Sequence, residues 1–345
     1  MKKLHLGKTA TSRTRKKKVV EEVSKHIAIK AQNDFEEYLF SRGYSNTTVA
    51  CYFKANNKFL EWLTNQSLEI ENVSYNDITS YVLSFGNVLQ KTKNSYLHGV
   101  RHYFNYLIRK QEAIENPLEF IKLKGGKRKS LYDILSRKEL DILYQDYTLP
   151  DLESRDKNQN WFKAKQLAQK RNKAILGLML YQALDTRDLK LLQVSDVNMR
   201  EGKIYIPGTR KSNERHLKIL APQVIDLMEY ILKARSEILD HPQAKGFGGS
   251  SESLQRSEQL FLSIGSSEHF NNLMAGLVKR MFQLNKRVTS VKQLKASVIV
   301  HWLKLYNLRQ VQYMAGHRYV SSTESFMVND IELMIEEIAK YHPIG

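Results

Sequence analysis

Apolar positions recur at helical spacing through the first third of the chain and again beyond residue 131, with one short stretch of strict alternation. AQNDFEEYLFSRG sets Phe35, Leu39 and Phe40 on one helical face and stops at Gly43. Ser45, Asn46 and Thr47 offer N-caps to TVACYFKANNKFLEWLTNQ, where Val49, Tyr52, Phe53, Phe59, Leu60 and Leu63 make an apolar face. Ser74 opens YNDITSYVLSFG. A fourth helix, LQKTKNSYLHGVRHYFNYLIRK, turns Tyr96, Val100, Tyr103, Phe104 and Leu107 inward and leaves Lys91, Lys93, Asn94 and Arg101 on its other face. Asn116-Pro117 ends the helical run.

KLKGGKRKSL then reads as a hinge. Gly125 and Gly126 supply flexibility, and Lys124, Lys127, Arg128 and Lys129 supply charge. The second unit opens with SRKEL, a capping-box pattern from Ser136 to Glu139. A polar stretch over 148–170 precedes NKAILGLMLYQAL, which has the composition of a buried helix. Ile204, Ile206, Leu217 and Ile219 alternate, predicting two short strands around a turn. PQVIDLMEYILKAR is helical again, 241–259 is Gly/Ser-rich and expected to be mobile, and the remainder is helical to Tyr341. The predicted organisation is an arm over 1–30, a helical domain over 31–121, a basic linker over 122–130 and a second domain over 131–345. The fold class is mainly α with a small antiparallel β-sheet.

With 345 residues, 42% of them hydrophobic, two such domains can each bury a core. No apolar run approaches the roughly 20 residues that cross a bilayer. The basic N-terminus lacks the apolar segment of a secretory signal, and the single cysteine, Cys51, allows no internal disulfide, so a cytoplasmic, nucleoid-associated protein is expected. Charge changes the picture most. Lys and Arg number 54 against 36 Asp and Glu, a net +18, and the excess is clustered. Residues 1–30 carry ten Lys or Arg against Glu21 and Glu22, with a knot at Arg13, Arg15, Lys16, Lys17 and Lys18. Such an excess points to a polyanion, because counterion release from phosphates drives binding.

Three further segments carry a resemblance. YQALDTRDLKLLQVSDV resembles the first box of the phage-integrase (tyrosine recombinase) family, a Gly-Leu-Arg followed by Glu-Leu and Ser-Asp. VKQLKASVIVHWL resembles its His-x-x-Arg box, and MAGHRYVSSTESF resembles the box that ends in the nucleophile. The order and the intervening hairpin match as well, over roughly residues 31–340, and the chain looks most like the integrase-like proteins of Bacteroidetes-type mobile elements. The resemblance implies a helical, SAM-like core-binding domain and a catalytic-fold domain that together encircle duplex DNA.

In that family a tyrosine oxygen attacks a backbone phosphate, two arginines and flanking His, Lys or Trp residues neutralise the developing charge, and a hairpin lysine protonates the leaving oxygen. No metal or cofactor is called for. Carried onto this sequence, the first arginine falls on Asp185, with Arg187 rotated away by about 200° on a helix. The hairpin lysine falls on Lys211, beside Arg210. The His and Arg of His-x-x-Arg fall on Lys292 and Lys295, the following position on Ala296, the late His on His317 and the nucleophile on Phe326. A phenyl ring has no oxygen with which to attack phosphorus. An Asp185 carboxylate about 4 Å from a phosphate would cost on the order of 4 kcal/mol at an effective dielectric near 20.

The expected protein is therefore a double-stranded-DNA binder of recombination or integration that does not cut, by natural degeneration. Expected DNA contacts are Arg15, Lys16, Lys17, Lys18, Lys91, Lys93, Asn94, Arg101, Lys127, Arg128, Lys129, Arg210, Lys211, Arg215, Lys286, Arg287, Lys292, Lys295 and Arg318. Two alternatives stand beside it: an active strand transferase whose nucleophile has moved to Tyr319 or Tyr341 (or whose tyrosine was replaced by experiment), and a basic scaffold for RNA or an acidic protein. His301 and Trp302 read as packing residues. The last helix, NDIELMIEEIAKY over 329–341, has an apolar stripe and an acidic face and is expected to contact a second copy or an active recombinase.

Overall fold

The computed structural model describes residues 34–123, 132–148, 160–242, 244–245, 258–264 and 269–327, within two compact units that divide between Lys129 and Ser130. Among the described residues no helix is long and apolar enough to cross a membrane.

The N-terminal unit is a set of short helices: α1 over 34–41, α2 (Asn46–Asn65), α3 (Tyr75–Ser84) and α4 (Gln90–Arg109). Helices α2 and α4 approach closely because position 99 has no side chain. A Cβ on Gly99 would stand 2.6 Å from the Ala55 Cβ and 3.2 Å from the Tyr52 backbone. Phe35, Leu39, Val49, Phe59, Leu63, Val100, Phe104 and Leu107 fill the core, joined by Ile78 and Tyr81 from α3. Phe40 departs from expectation: it is 42% exposed, since α1 ends one residue later and its buried stripe already closes with Leu39. Ser74 caps α3 in a capping box with Asp77.

The second unit is organised around α6 (Asn160–Gln182), whose residues 174–182 are buried on every side. The expected polar stretch over 148–170 thus already contains the first turns of this helix. Packed about it are α5 (Arg137–Gln145), α8 (Ala221–Glu229) with its π-turn (Tyr230–Ala234) and α9 (Arg235–Leu239), and α11 (Val291–Leu305). Ser136 and Glu139 form the expected capping box of α5. The buried Arg171 guanidinium donates to the Leu262 carbonyl at 2.8 Å and to Asn172, and burial pushes its pKa down to about 10.

The sheet has three strands, one more than the alternation predicts: β1 (Val197–Asn198), β2 (Lys203–Ile206) and β3 (Arg215–Lys218), antiparallel in that order. Strand β1 is two residues long, too short to show a period of two. Ile204 pairs with Leu217 and faces the core with Ile206, as the alternation predicts. A two-stranded ribbon joins β4 (Ala244–Lys245) to β5 (Ser263–Ile264). Helices α10 (Phe270–Leu284), α12 (Leu308–Ala315) and α13 over 320–327 complete the described unit, with α7 (Thr186–Leu191) between α6 and the sheet.

Candidate DNA-strand site

The site is built where four elements end together. Helix α6 closes on Ala183, buried and left-handed at φ 55°, an arrangement that costs a residue with a β-carbon about 1 kcal/mol or more. That turn delivers Asp185 to the N-cap of α7. Its Oδ1 accepts from the backbone N–H of Arg187 at 2.9 Å and of Asp188 at 3.1 Å, and Asp188 caps back in a capping box. The D-x-x-D spacing of Asp185 and Asp188 is the sequence signal for this cap.

Asp185 Oδ2 also accepts from Lys295 Nζ of α11 at 3.1 Å. Lys295 lies 3.5 Å from Asp188 Oδ2, and the same oxygen receives Arg215 Nη2 of β3 at 3.0 Å. Asp188 and Arg215 are buried, whereas Lys295 and Asp185 keep 15% and 35% of their side-chain surface. Burial pushes the Asp185 carboxyl up, but Lys295 and the two backbone donors outweigh it and hold the group below the usual carboxylate range. Two carboxylates and two cations therefore compensate one another at the centre of the site.

Gly316 ends α12 in the left-handed region at φ 69°, and a Cβ there would stand 2.4 Å from Arg215 Nη1. Glycine is required twice over, by the backbone angle and by the guanidinium beneath it. The next residue, His317, meets the hairpin turn: Asn213 N–H donates to the Gly316 carbonyl at 3.0 Å, and Ser212 bridges to His317. The turn is tightened by Thr209 Oγ1, which accepts from the N–H groups of Lys211 and Ser212, each at 3.1 Å. Lys211 and His317 thus come from sequence-distant segments that touch. His317 Nδ1 is 2.9 Å from Thr323 Oγ1 of α13, a partner that no motif in the sequence points to. Burial, with Lys295 and Arg215 nearby, pushes the imidazole down to about 4, so it is neutral at pH 7.

The Phe326 ring lies parallel to His317 in an offset stack, ring centres 5.7 Å apart and planes 4° apart. It also packs against Ile134, Ala296 and Val300. At the position where the sequence resemblance expects a nucleophile, the side chain is a packing residue without a hydroxyl.

One expected DNA contact is corrected, and three others are already engaged within the protein. Arg215 is not on the surface: its side chain has no exposed area and is committed to Asp188. Arg101 is half-buried and gives its guanidinium to the Leu118 and Ile121 carbonyls at 2.9 Å, holding the segment after α4. Arg287 is bound by Asp133 and Glu139 and donates to the Ile134 carbonyl at 3.0 Å, tying the entry of this unit to α11. Lys295 is engaged by Asp185, as described. The others stand differently. Lys91, Arg210, Lys211, Lys286, Lys292 and Arg318 are at least partly open to solvent, with Lys286 over the Phe282 ring. Lys93 donates to the Gly86 carbonyl, and Asn94 is half-buried. Arg187 is exposed, and Tyr319 is 70% exposed. His301 Nε2 lies 2.8 Å from the Leu135 carbonyl and Trp302 is 9% exposed, consistent with packing roles. Arg15, Lys16, Lys17, Lys18, Lys127, Arg128, Lys129, Tyr341 and the helix expected over 329–341 lie outside the described residues.

The family described as phage integrase, N-terminal SAM-like domain, matches residues 33–116. The chain is 24% identical over 310 residues to tyrosine recombinase XerD of Shewanella oneidensis, covering 88% of this chain and 93% of the relative. It is 25% identical over 323 residues to XerD of Oceanobacillus iheyensis, covering 91% and 98%. Among solved structures it shares its fold with the XerH site-specific recombinase bound to palindromic difH substrate, at a TM-score of 0.61, 15% identity and coverage of 87% of this chain and 81% of that one. The Tn1549 transposon integrase in complex with transposon right end DNA gives 0.54 at 14% identity, covering 90% and 99%.

Proposed function

This chain belongs to the tyrosine recombinase (phage integrase) family, and we propose that it binds duplex DNA in recombination or integration of a mobile element without cutting a strand itself. The observation that carries the reading is the centre of the site. Phe326 is a seated packing residue, and the two family arginine positions hold Asp185 and Lys295, bonded to each other at 3.1 Å. Transfer of a phosphoryl group needs an oxygen nucleophile and uncompensated cations around the developing charge. Among the described residues the centre has no tyrosine hydroxyl at position 326 and no cation without a carboxylate beside it, while Lys91, Arg210, Lys211, Lys286, Lys292 and Arg318 remain open to phosphate contact. Such contacts position a protein on duplex without reading bases. The reading extends to partner contact through residues 329–341, with self or with an active recombinase, and to a cytoplasmic, nucleoid-associated setting.

The test is a nicked suicide substrate that traps any covalent protein–DNA adduct. The unmodified chain is expected to retain the DNA without an adduct, and Asp185→Arg/Phe326→Tyr to restore some adduct. A covalent adduct from the unmodified chain would overturn the proposal. Its loss in Tyr319→Phe would then place the nucleophile two residues after His317, where the exposed hydroxyl stands.

A further inference from the structure

The five groups at the centre of the site act on one another: His317 lies in the field of Lys295, Arg215, Asp188 and Asp185. Their formal charges cancel when the imidazole is neutral, because Lys295 and Arg215 face Asp185 and Asp188. The two carboxylates are held differently. Asp188 is 3% exposed and bridges both cations, so it belongs to the buried framework. Asp185 keeps about a third of its side-chain surface while it pairs with Lys295. Among the described residues the buried Arg215 leaves Nε and Nη1 without a hydrogen-bond partner, so the buried framework carries more donors than its carboxylates satisfy.

We propose that Asp185 is a resident counter-anion: its carboxylate occupies the seat beside Lys295 and His317 in which a backbone phosphate docks, and closes that seat to DNA. This inference rests on the DNA-binding reading above. The Asp185 oxygen on Lys295 Nζ stands where a phosphate's non-bridging oxygen would meet that ammonium, while its other oxygen stays on the cap of α7. While Asp185 is ionised, an incoming phosphate meets a like charge and a lysine already neutralised. DNA held on the exposed cations is therefore excluded from the centre. The Asp185–Lys295 pair is a specificity element that lets the protein hold duplex without engaging the strand at this point.

The experiment uses Asp185→Asn in the full chain, since Asn caps a helix as well as Asp but carries no charge. Glu201→Gln is the control: it removes one carboxylate from an exposed pair with Lys203 in the same unit, giving the same change in net charge elsewhere. Duplex affinity is read across a salt series, and thermal stability is read with inorganic phosphate against chloride at matched ionic strength. Asp185→Asn is expected to bind duplex roughly tenfold tighter at low salt, with a salt slope steeper by about 0.9, the increment of one added phosphate contact. It is also expected to gain a phosphate-dependent rise in Tm that the unmodified chain lacks. Adding Lys295→Met should abolish both gains. Equal affinity, slope and phosphate response in Asp185→Asn, Glu201→Gln and the unmodified chain would overturn the proposal while leaving DNA binding standing. A phosphate response in Asp185→Asn without duplex binding by any variant would support the seat and overturn the DNA reading on which its use depends.

Discussion

The centre of the site and the rim of the same unit handle positive charge in opposite ways. At the centre Arg215 and Lys295 each have a carboxylate within 3.1 Å, and Arg215 is wholly buried. On the rim Arg210, Lys211, Lys292 and Arg318 stand open to solvent. Charge at the centre is part of the fold, because a buried guanidinium must be paired to exist there. Charge on the rim is dispensable to the fold and available to a polyanion. The lesson is that a count of basic residues near a site says little about binding until each has been asked what already neutralises it.

The sharpest way to break that comparison is Asp188→Ala, which strands a buried Arg215. It is expected to cost about 3–5 kcal/mol, read from the denaturant midpoint. Lys211→Ala, by contrast, should stay within about 0.5 kcal/mol. Similar losses from the two variants would mean that the centre is not the framework described.

A smaller effect separates the two regions by pH. Burial and the nearby cations depress the folded His317 pKa to about 4, below the unfolded value near 6.5. The unfolded chain then binds the proton first, so this contribution to stability is full above pH 6.5, declines as pH falls towards 4, and is flat below. With solvent screening at this half-buried ring, the decline attributable to His317 is expected to be about 2 kcal/mol, measured as the difference between unmodified chain and His317→Gln across that window. A His317→Gln curve parallel to that of the unmodified chain would remove the imidazole from the central charge cluster.

The smallest effect on stability belongs to the rim, where the whole consequence should appear in DNA binding. Arg210→Ala/Lys211→Ala is expected to leave the unfolding midpoint unchanged. It should lower the salt slope of duplex binding by up to about 1.8, or about 0.9 for each phosphate no longer neutralised. An unchanged slope would exclude the hairpin turn from the DNA surface.

Local rules carry the sequence a long way here. The Ser74 and Ser136 caps, the alternation of Ile204, Ile206 and Leu217, the buried run after Asn172 and the packing roles of His301 and Trp302 all follow from periodicity and capping chemistry. Phe326 and Asp185 are legible as departures from a motif with fixed spacing. The correction of Arg215 and the engagement of Arg101 and Arg287 share one cause. Charge and position assign Arg101, Arg215 and Arg287 to DNA, yet each is held by a group from another segment of the chain. Leu118 is 17 positions from Arg101, Asp188 is 27 from Arg215 and Asp133 is 154 from Arg287.

What the sequence by itself determined was therefore the long amphipathic and buried helices, the β2–β3 alternation, and that no hydroxyl is present at position 326. Spacing, caps and residue chemistry are local, and a chain displays them openly. Only the tertiary structure decided which cations are already neutralised. It brought Asp185 onto Lys295, Asp188 onto Arg215 and Gly316 over that guanidinium, because pairing depends on distances between segments that no local pattern encodes.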